Sequence, residues 1–245
     1  MFKLIAPLAF VVALPSFAAF AHEPGSPAFN YAIREYLLEN PEILGEMQAA
    51  LQEKQLELAA QAQAEALAND ADRIFDSEHN IVLGNPDGDV TIVEFFDYNC
   101  GYCARAMRDM QAVIESDPNV RFVLKEFPIL GPSSSEAHVV SMAIARTAPD
   151  KYSEFHQDLL TGGSEANGET AMAIAERLGV DMVALEQAMV PSENEDAFNE
   201  AYELATALQI SGTPSYVVGD QVMFGAQGPD ALLEQVKAAR EAATN

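Results

Sequence analysis

The sequence predicts an α/β fold in which a small sheet is split by a helical insert and preceded by a helical extension. Three observations predict it. Val90 to Phe96 and Val120 to Phe127 are apolar strand-like runs flanking the helix-forming stretch Ala104 to Ile114. Residues 134–210 read mostly as helix. Two short strand-like runs, Tyr216 to Val218 and Gln221 to Phe224, then lead into an amphipathic closing helix.

The first 21 residues stand apart from the fold. Lys3 supplies the only early charge, Leu4 to Phe20 is apolar, and Ala19-Phe20-Ala21 has the small-x-small form of a signal-peptidase site. A spanning helix needs about 20 apolar residues. This run is shorter and carries Pro7 and Pro15, so cleavage after Ala21, export and a mature chain beginning at His22 are expected. No later stretch is long and apolar enough to span a bilayer, so no membrane insertion is expected. The formal charge is −25, and loss of the leader removes only the positive Lys3. Such acidity excludes nucleic acid and anionic membranes as partners, because both would repel the chain.

Residues 22–28 read as a flexible start and Phe29 to Glu39 as a helix. Asn40-Pro41-Glu42 combines a capping side chain, proline at the first helical position and an acid beside it, and so opens a second helix running to about Asn69. Leu44, Leu51 and Leu58 recur every seven residues, with Met47 on the same face. That stripe reads either as a self-association surface or as a helix lying along its own domain. Residues 70–80 are polar and read as a linker or a fraying helix end. Ile81-Val82-Leu83 is a short strand and Asn85-Pro86-Asp87-Gly88 a turn. Val90–Phe96, the following helix and Val120–Phe127 form a βαβ unit, whose first and third elements are parallel neighbours. Breaks at Pro149, Gly162-Gly163, Gly179 and Pro191 divide the insert into about four helices. Gly219-Asp220 joins the last two strands as a hairpin.

The chemistry centres on the two cysteines. Cys100 and Cys103 enclose only Gly101 and Tyr102, and a loop that short contributes little stability as a crosslink. Placed between a buried strand and a helix, Cys100 meets the unpaired N–H groups and positive dipole of a helix start, which lower a thiol's pKa. Cys100 is expected at the exposed helix mouth as the attacking sulfur. Cys103 is expected one turn inward, as the thiol that resolves the mixed disulfide. A zinc site is disfavoured and no metal is expected: there is no second cysteine pair, and His22, His79, His138 and His156 are scattered. No cofactor is implied. Ile210-Ser211-Gly212-Thr213-Pro214 precedes a short apolar strand, which fits a cis Thr213–Pro214 bond.

Three segments carry a family resemblance: Val93 to Cys103, Lys125 to Gly131, and Gly212 to Gly219. They resemble the DsbA-like branch of the thioredoxin superfamily, in which a helical domain interrupts the thioredoxin fold between the CxxC half and the cis-proline half. Within that branch the chain is similar to the suppressor-of-copper-sensitivity protein C type and to Com1-like antigens. The resemblance covers residues 81–245, and those proteins' helical extension resembles residues 29–68. Beyond the leader over 1–21, it implies an oligomerisation extension over 22–75, a thioredoxin-fold domain over 76–133 and 211–245, and an insert over 134–210.

The resemblance also implies roles. Cys100 and Cys103 are catalytic, and Thr213 and Pro214 hold the client backbone. Gly101 and Tyr102 modulate the pair. By the resemblance Glu94 takes the Cys103 proton; by the residues alone, Glu94 and Lys125 in the neighbouring strand read as a buried ion pair. Strong oxidases of the branch carry Pro-His between the cysteines and valine before the cis-proline. Gly101-Tyr102 and Thr213 here imply a less depressed Cys100 pKa and isomerase or reductase work on cysteine-containing periplasmic proteins. The implied partners are a membrane thiol reductase or oxidase and further copies of the chain, with a trimer favoured. Two other functions stay open: a dithiol oxidase that introduces disulfides, and a non-enzymatic metal-buffering or holdase protein.

Overall fold

The computed structural model describes residues 24–189 and 191–244. The expected leader and its cleavage site lie outside the described residues. The chain divides into two compact units, Met1–Leu56 and Glu57–Asn245.

In the first unit, Ser26 caps α1 (Pro27–Glu39) by accepting a hydrogen bond from the Phe29 N–H, with Pro27 in the first turn. No residue of α1 is buried. The helix α2 (Glu42–Asn69) starts at the acid that follows Pro41 and ends where propensity places it. Its first part leaves Leu44, Met47 and Leu51 exposed.

The second unit holds a five-stranded sheet ordered β1-β3-β2-β4-β5, from β1 (Ile81–Gly84), β2 (Val90–Phe96), β3 (Val120–Glu126), β4 (Ser215–Val218) and β5 (Gln221–Phe224). β2 and β3 are parallel, as a βαβ crossover requires, and the other pairs are antiparallel. This is the thioredoxin-like fold. α4 (Gly101–Ser116) supplies the crossover. Five helices, α5 (Pro132–Thr147), α6 (Pro149–Thr161), α7 (Gly168–Arg177), α8 (Met182–Ala188) and α9 (Pro191–Ala207), lie between β3 and β4, one more than the helix-breaking residues suggested. α10 (Pro229–Ala243) closes the chain.

The alternation of side chains along β2 and β3 divides the core in two. Ile92, Phe96, Phe122 and Leu124 face one side, where they pack with residues of α4 to α8 and α10. Val93, Phe95 and Val123 face the other side with Leu67 of α2, Ile74 of α3 (Ala71–Phe75), and Ala201, Leu204 and Ala205 of α9. The expectation of a linker or frayed end over 70–80 is therefore corrected. Ile74 is fully buried against the sheet with Phe75 packed beside it, and this apolar pair anchors the short helix. Ile74→Ala is expected to lower stability by about 3 kcal/mol, read by equilibrium urea unfolding. A loss below about 0.5 kcal/mol would mark α3 as peripheral.

Candidate active site

β2 ends at Phe96, and Asp97-Tyr98-Asn99 carries the chain to the start of α4. Asp97 is fully buried and organises this turn. Its Oδ1 accepts from the Asn99 N–H at 2.8 Å and from the Ser134 hydroxyl at 2.8 Å, while its Oδ2 accepts from the Leu130 N–H at 2.9 Å. The Asn99 amide reaches the insert, donating to the Ala166 carbonyl and accepting from the Ala166 N–H, both at 2.8 Å. The Tyr98 N–H donates to His138 Nε2 at 3.4 Å, and its hydroxyl bonds Ser141 and His156. Glu126 accepts from His138 Nδ1 and from Ser141. The sequence treated His138 and His156 as scattered, but both rings pack on Tyr98. Burial, then the neighbouring His138, pushes His156 down to about 3, so it is neutral at physiological pH. Among the described residues no three His, Cys, Asp or Glu side chains converge as metal ligands.

This turn delivers Cys100 to the N-cap of α4 with extended backbone angles, φ −84° and ψ 111°. Both cysteines are thiols. Cys100 Sγ lies 3.1 Å from the Thr213 carbonyl oxygen, to which it donates when protonated. The Thr213–Pro214 peptide is cis, and Pro214 is buried beside Thr213 at the start of β4. The CxxC turn and the segment before the proline therefore meet, although 113 residues separate them. The expectation that Cys100 is exposed is corrected: its residue is only 9% accessible, because the cis-proline segment covers it. Cys103, one turn further into α4, is wholly buried.

The electrostatics separate the two sulfurs. Cys100 is pushed down to about 5, chiefly by hydrogen bonding from the Cys103 thiol. Burial opposes the shift, and the Thr213 side chain and the N–H groups of Cys103 and Tyr102 reinforce it. Both amides belong to the positive N-terminal end of the helix, the Cys103 N–H also donating to the Cys100 carbonyl at 2.9 Å. Cys103 is pushed far above the ordinary thiol range by burial, then by the Cys100 sulfur and the Glu94 charge. At neutral pH one sulfur is an anion and the other a thiol. Gly101 and Tyr102 lie exposed in the first turn, and Tyr102 contributes its N–H while its ring faces solvent.

Glu94 and Lys125 do not meet. Glu94 pairs in register with Leu124, and Lys125 with Phe95, so their side chains leave opposite faces of the sheet. Lys125 Nζ donates to Glu200 at 2.6 Å and to the Arg73 carbonyl at 2.6 Å. The ion-pair reading of Glu94 with Lys125 is thereby overturned. Glu94 faces the cysteine side, and burial, then the Asp109 and Cys100 charges, push it up to about 8.

Asp97, Asp109, Glu126, His138 and Tyr216 were not singled out from sequence. Only Asp97 carried a local signal, an acid at the end of a buried strand just before the CxxC. The others meet through packing between distant segments.

A model of the DSBA-like thioredoxin domain matches residues 91–237, and one of the copper resistance protein ScsC N-terminal domain matches residues 28–57. A crystal structure of a thioredoxin-like oxidoreductase from Silicibacter pomeroyi DSS-3 is 40% identical, with a TM-score of 0.66, over 69% of this chain and 97% of its own. ScsC of Proteus mirabilis, in a transitional conformation, is 27% identical with a TM-score of 0.65, over 86% of this chain and 95% of its own. Disulfide bond formation protein D of Bacillus subtilis is 24% identical over 166 residues, 64% of this chain and 75% of that protein. The chain also matches Na(+)/H(+) antiporter NhaA 1 of Salinispora arenicola at 24% identity over 164 residues, spanning only 25% of the antiporter's length.

Proposed function

The chain belongs to the DSBA-like thioredoxin domain family, a family of thiol–disulfide oxidoreductases, and from that premise we propose that it isomerises or reduces disulfides in periplasmic proteins through Cys100 and Cys103. The reading rests on one observation: the Cys100 sulfur sits at a helix N-terminus, 3.1 Å from the Thr213 carbonyl beside a cis-proline. The backbone of Thr213 and Pro214 pairs with an extended client and holds its disulfide against Cys100. The Cys100 thiolate attacks, forming a mixed disulfide and releasing one client thiolate. Cys103 then loses its proton to Glu94 and attacks the Cys100 sulfur. This closes the Cys100–Cys103 disulfide and releases the second client thiolate. When a client thiol attacks the mixed disulfide first, the client leaves with a rearranged disulfide and the pair stays reduced. A membrane thiol reductase returns the oxidised pair to dithiol.

Export through the residue 1–21 leader places this chemistry in the periplasm. Assembly through residues 22–56 completes the isomerase reading. Tyr31, Tyr36, Leu38, Leu44, Met47 and Leu51 are exposed there, more apolar surface than a soluble helix leaves uncovered without a partner. A trimer would set three Cys100 sulfurs around one client.

One observation favours a second reading, a dithiol oxidase recharged by a membrane oxidase. A Cys100 held near 5 stabilises the reduced pair and moves the couple toward the oxidising side.

Refolding of scrambled ribonuclease by the full chain and by a form beginning at Glu57 separates the two. The isomerase reading predicts that truncation removes most of the activity. Equal activity of both forms would overturn it. The truncation belongs at Glu57, since a start near residue 75 also strips Leu67 and Ile74 from the core.

A further inference from the structure

Three buried polar atoms lack a hydrogen-bond partner and belong to side chains near enough to interact electrostatically: Glu94 Oε2, Asp109 Oδ2 and Tyr216 Oη. Glu94 and Tyr216 are direct cross-strand partners in the β2–β4 ladder, 3% and 1% exposed. Asp109 lies on α4, six residues and about 9 Å beyond Cys103 along the helix axis, and is only partly buried. Buried polar groups normally find partners, and these three share the face of the sheet that carries Cys103.

The charges around Glu94 are of one sign. α4 contributes the Asp109 carboxyl and the neutral Cys103 thiol, and its N-cap contributes the Cys100 sulfur. β4 contributes the neutral Tyr216 and β3 the apolar Leu124. α10 packs on this side with Leu232 and Val236, and its Arg240 is engaged by Asp89 and Asp117. Lys125 and Arg121, the cations of the neighbouring strand, leave the opposite face for Glu200 and Asp76. A carboxyl facing a cation stays ionised, whereas one facing a second carboxyl keeps its proton to higher pH. The acid at position 109 therefore does to Glu94 the reverse of what an ion-pair partner does.

We infer that Asp109 is a positioning residue for the resolving step: the carboxyl it sets against Glu94 fixes the pH at which Glu94 takes the Cys103 proton. The inference rests on the proposed role of Glu94 as that acceptor. In the step itself the Cys103 S–H breaks and its proton passes to the Glu94 carboxylate. The Cys103 sulfur displaces the client sulfur from Cys100, so the pair is oxidised and the client reduced by the same two electrons. Glu94 then releases its proton to water. A base that titrates near neutrality is suited to this transfer, and burial together with Asp109 holds Glu94 there.

The test is rapid-mixing, acid-quench kinetics of the reduced full chain with oxidised glutathione, with mass spectrometry following the glutathionylated intermediate and its decay as a function of pH. Asp109→Asn is expected to move the acid limb of the decay down by about one pH unit, to leave the Cys100 thiolate titration in place, and to be reversed by Asp109→Glu. A profile for Asp109→Asn that superimposes on the parent, while Glu94→Gln slows the decay, overturns the inference and leaves the Glu94 role standing. If Glu94→Gln leaves the decay unchanged, that role falls and the inference with it.

Discussion

Cys100→Ser is expected to abolish thiol–disulfide exchange, by about a thousandfold or more, because the buried, protonated Cys103 cannot make the first attack and residues acting as one unit are not replaced by their neighbours. Cys103→Ala is expected to behave differently. It keeps the attacking sulfur but removes the resolving one, so mixed disulfides with exported proteins accumulate and are captured on non-reducing gels. The wild-type first step should be nearly independent of pH above about 6 and fall below 5, following the Cys100 thiolate. A Cys103→Ala protein that traps no client, or a Cys100→Ser protein that keeps activity, contradicts the assigned order of attack.

The second large effect is on stability, and Glu94 carries it. Its carboxyl titrates near 8 in the folded chain and near 4.5 as a free side chain. Between those values the folded state binds more protons than the unfolded state, so this group lowers stability as pH rises through the window. The stability difference between Glu94→Gln and wild type is therefore expected to grow by about 3 kcal/mol between pH 4.5 and pH 7 in favour of the variant. Above pH 8 it levels off. Urea unfolding of the reduced proteins across pH 4.5–8.5 measures it, and a constant difference contradicts an ionisable, unpaired Glu94. The same substitution removes the acceptor for the Cys103 proton, so the more stable variant should resolve mixed disulfides more slowly. Functional sites commonly retain such a destabilising group.

Local patterns carried most of the fold into view. The apolar run Val90–Phe96 and the hairpin at Gly219-Asp220 were legible because strand periodicity and turn chemistry are encoded within a few residues. So was the pairing of Cys100 with the Thr213–Pro214 segment, through two motifs that are individually weak. α3 was not legible, since only the adjacent pair Ile74 and Phe75 anchors it and two neighbouring apolar residues in a short stretch define no period. The accessibility of Cys100 was overestimated because the residue that covers it arrives from 113 positions away. Lys125 illustrates the limit most clearly. Adjacent strands suggested a partner for Glu94, but a one-residue offset in register sends the two side chains to opposite faces. The contact of Glu126 with His138, the cross-strand pairing of Glu94 with Tyr216 and the electrostatic effect of Asp109 on Glu94 exist only once distant segments are packed.

Ultraviolet titration of the reduced Cys103→Ala protein and the reduced wild type, following thiolate absorbance of Cys100 with pH, tests the central claim most directly. The account predicts a wild-type transition centred near 5, moving upward when Cys103 no longer donates to the sulfur. A wild-type transition near 8.5, that of an ordinary cysteine, would contradict it.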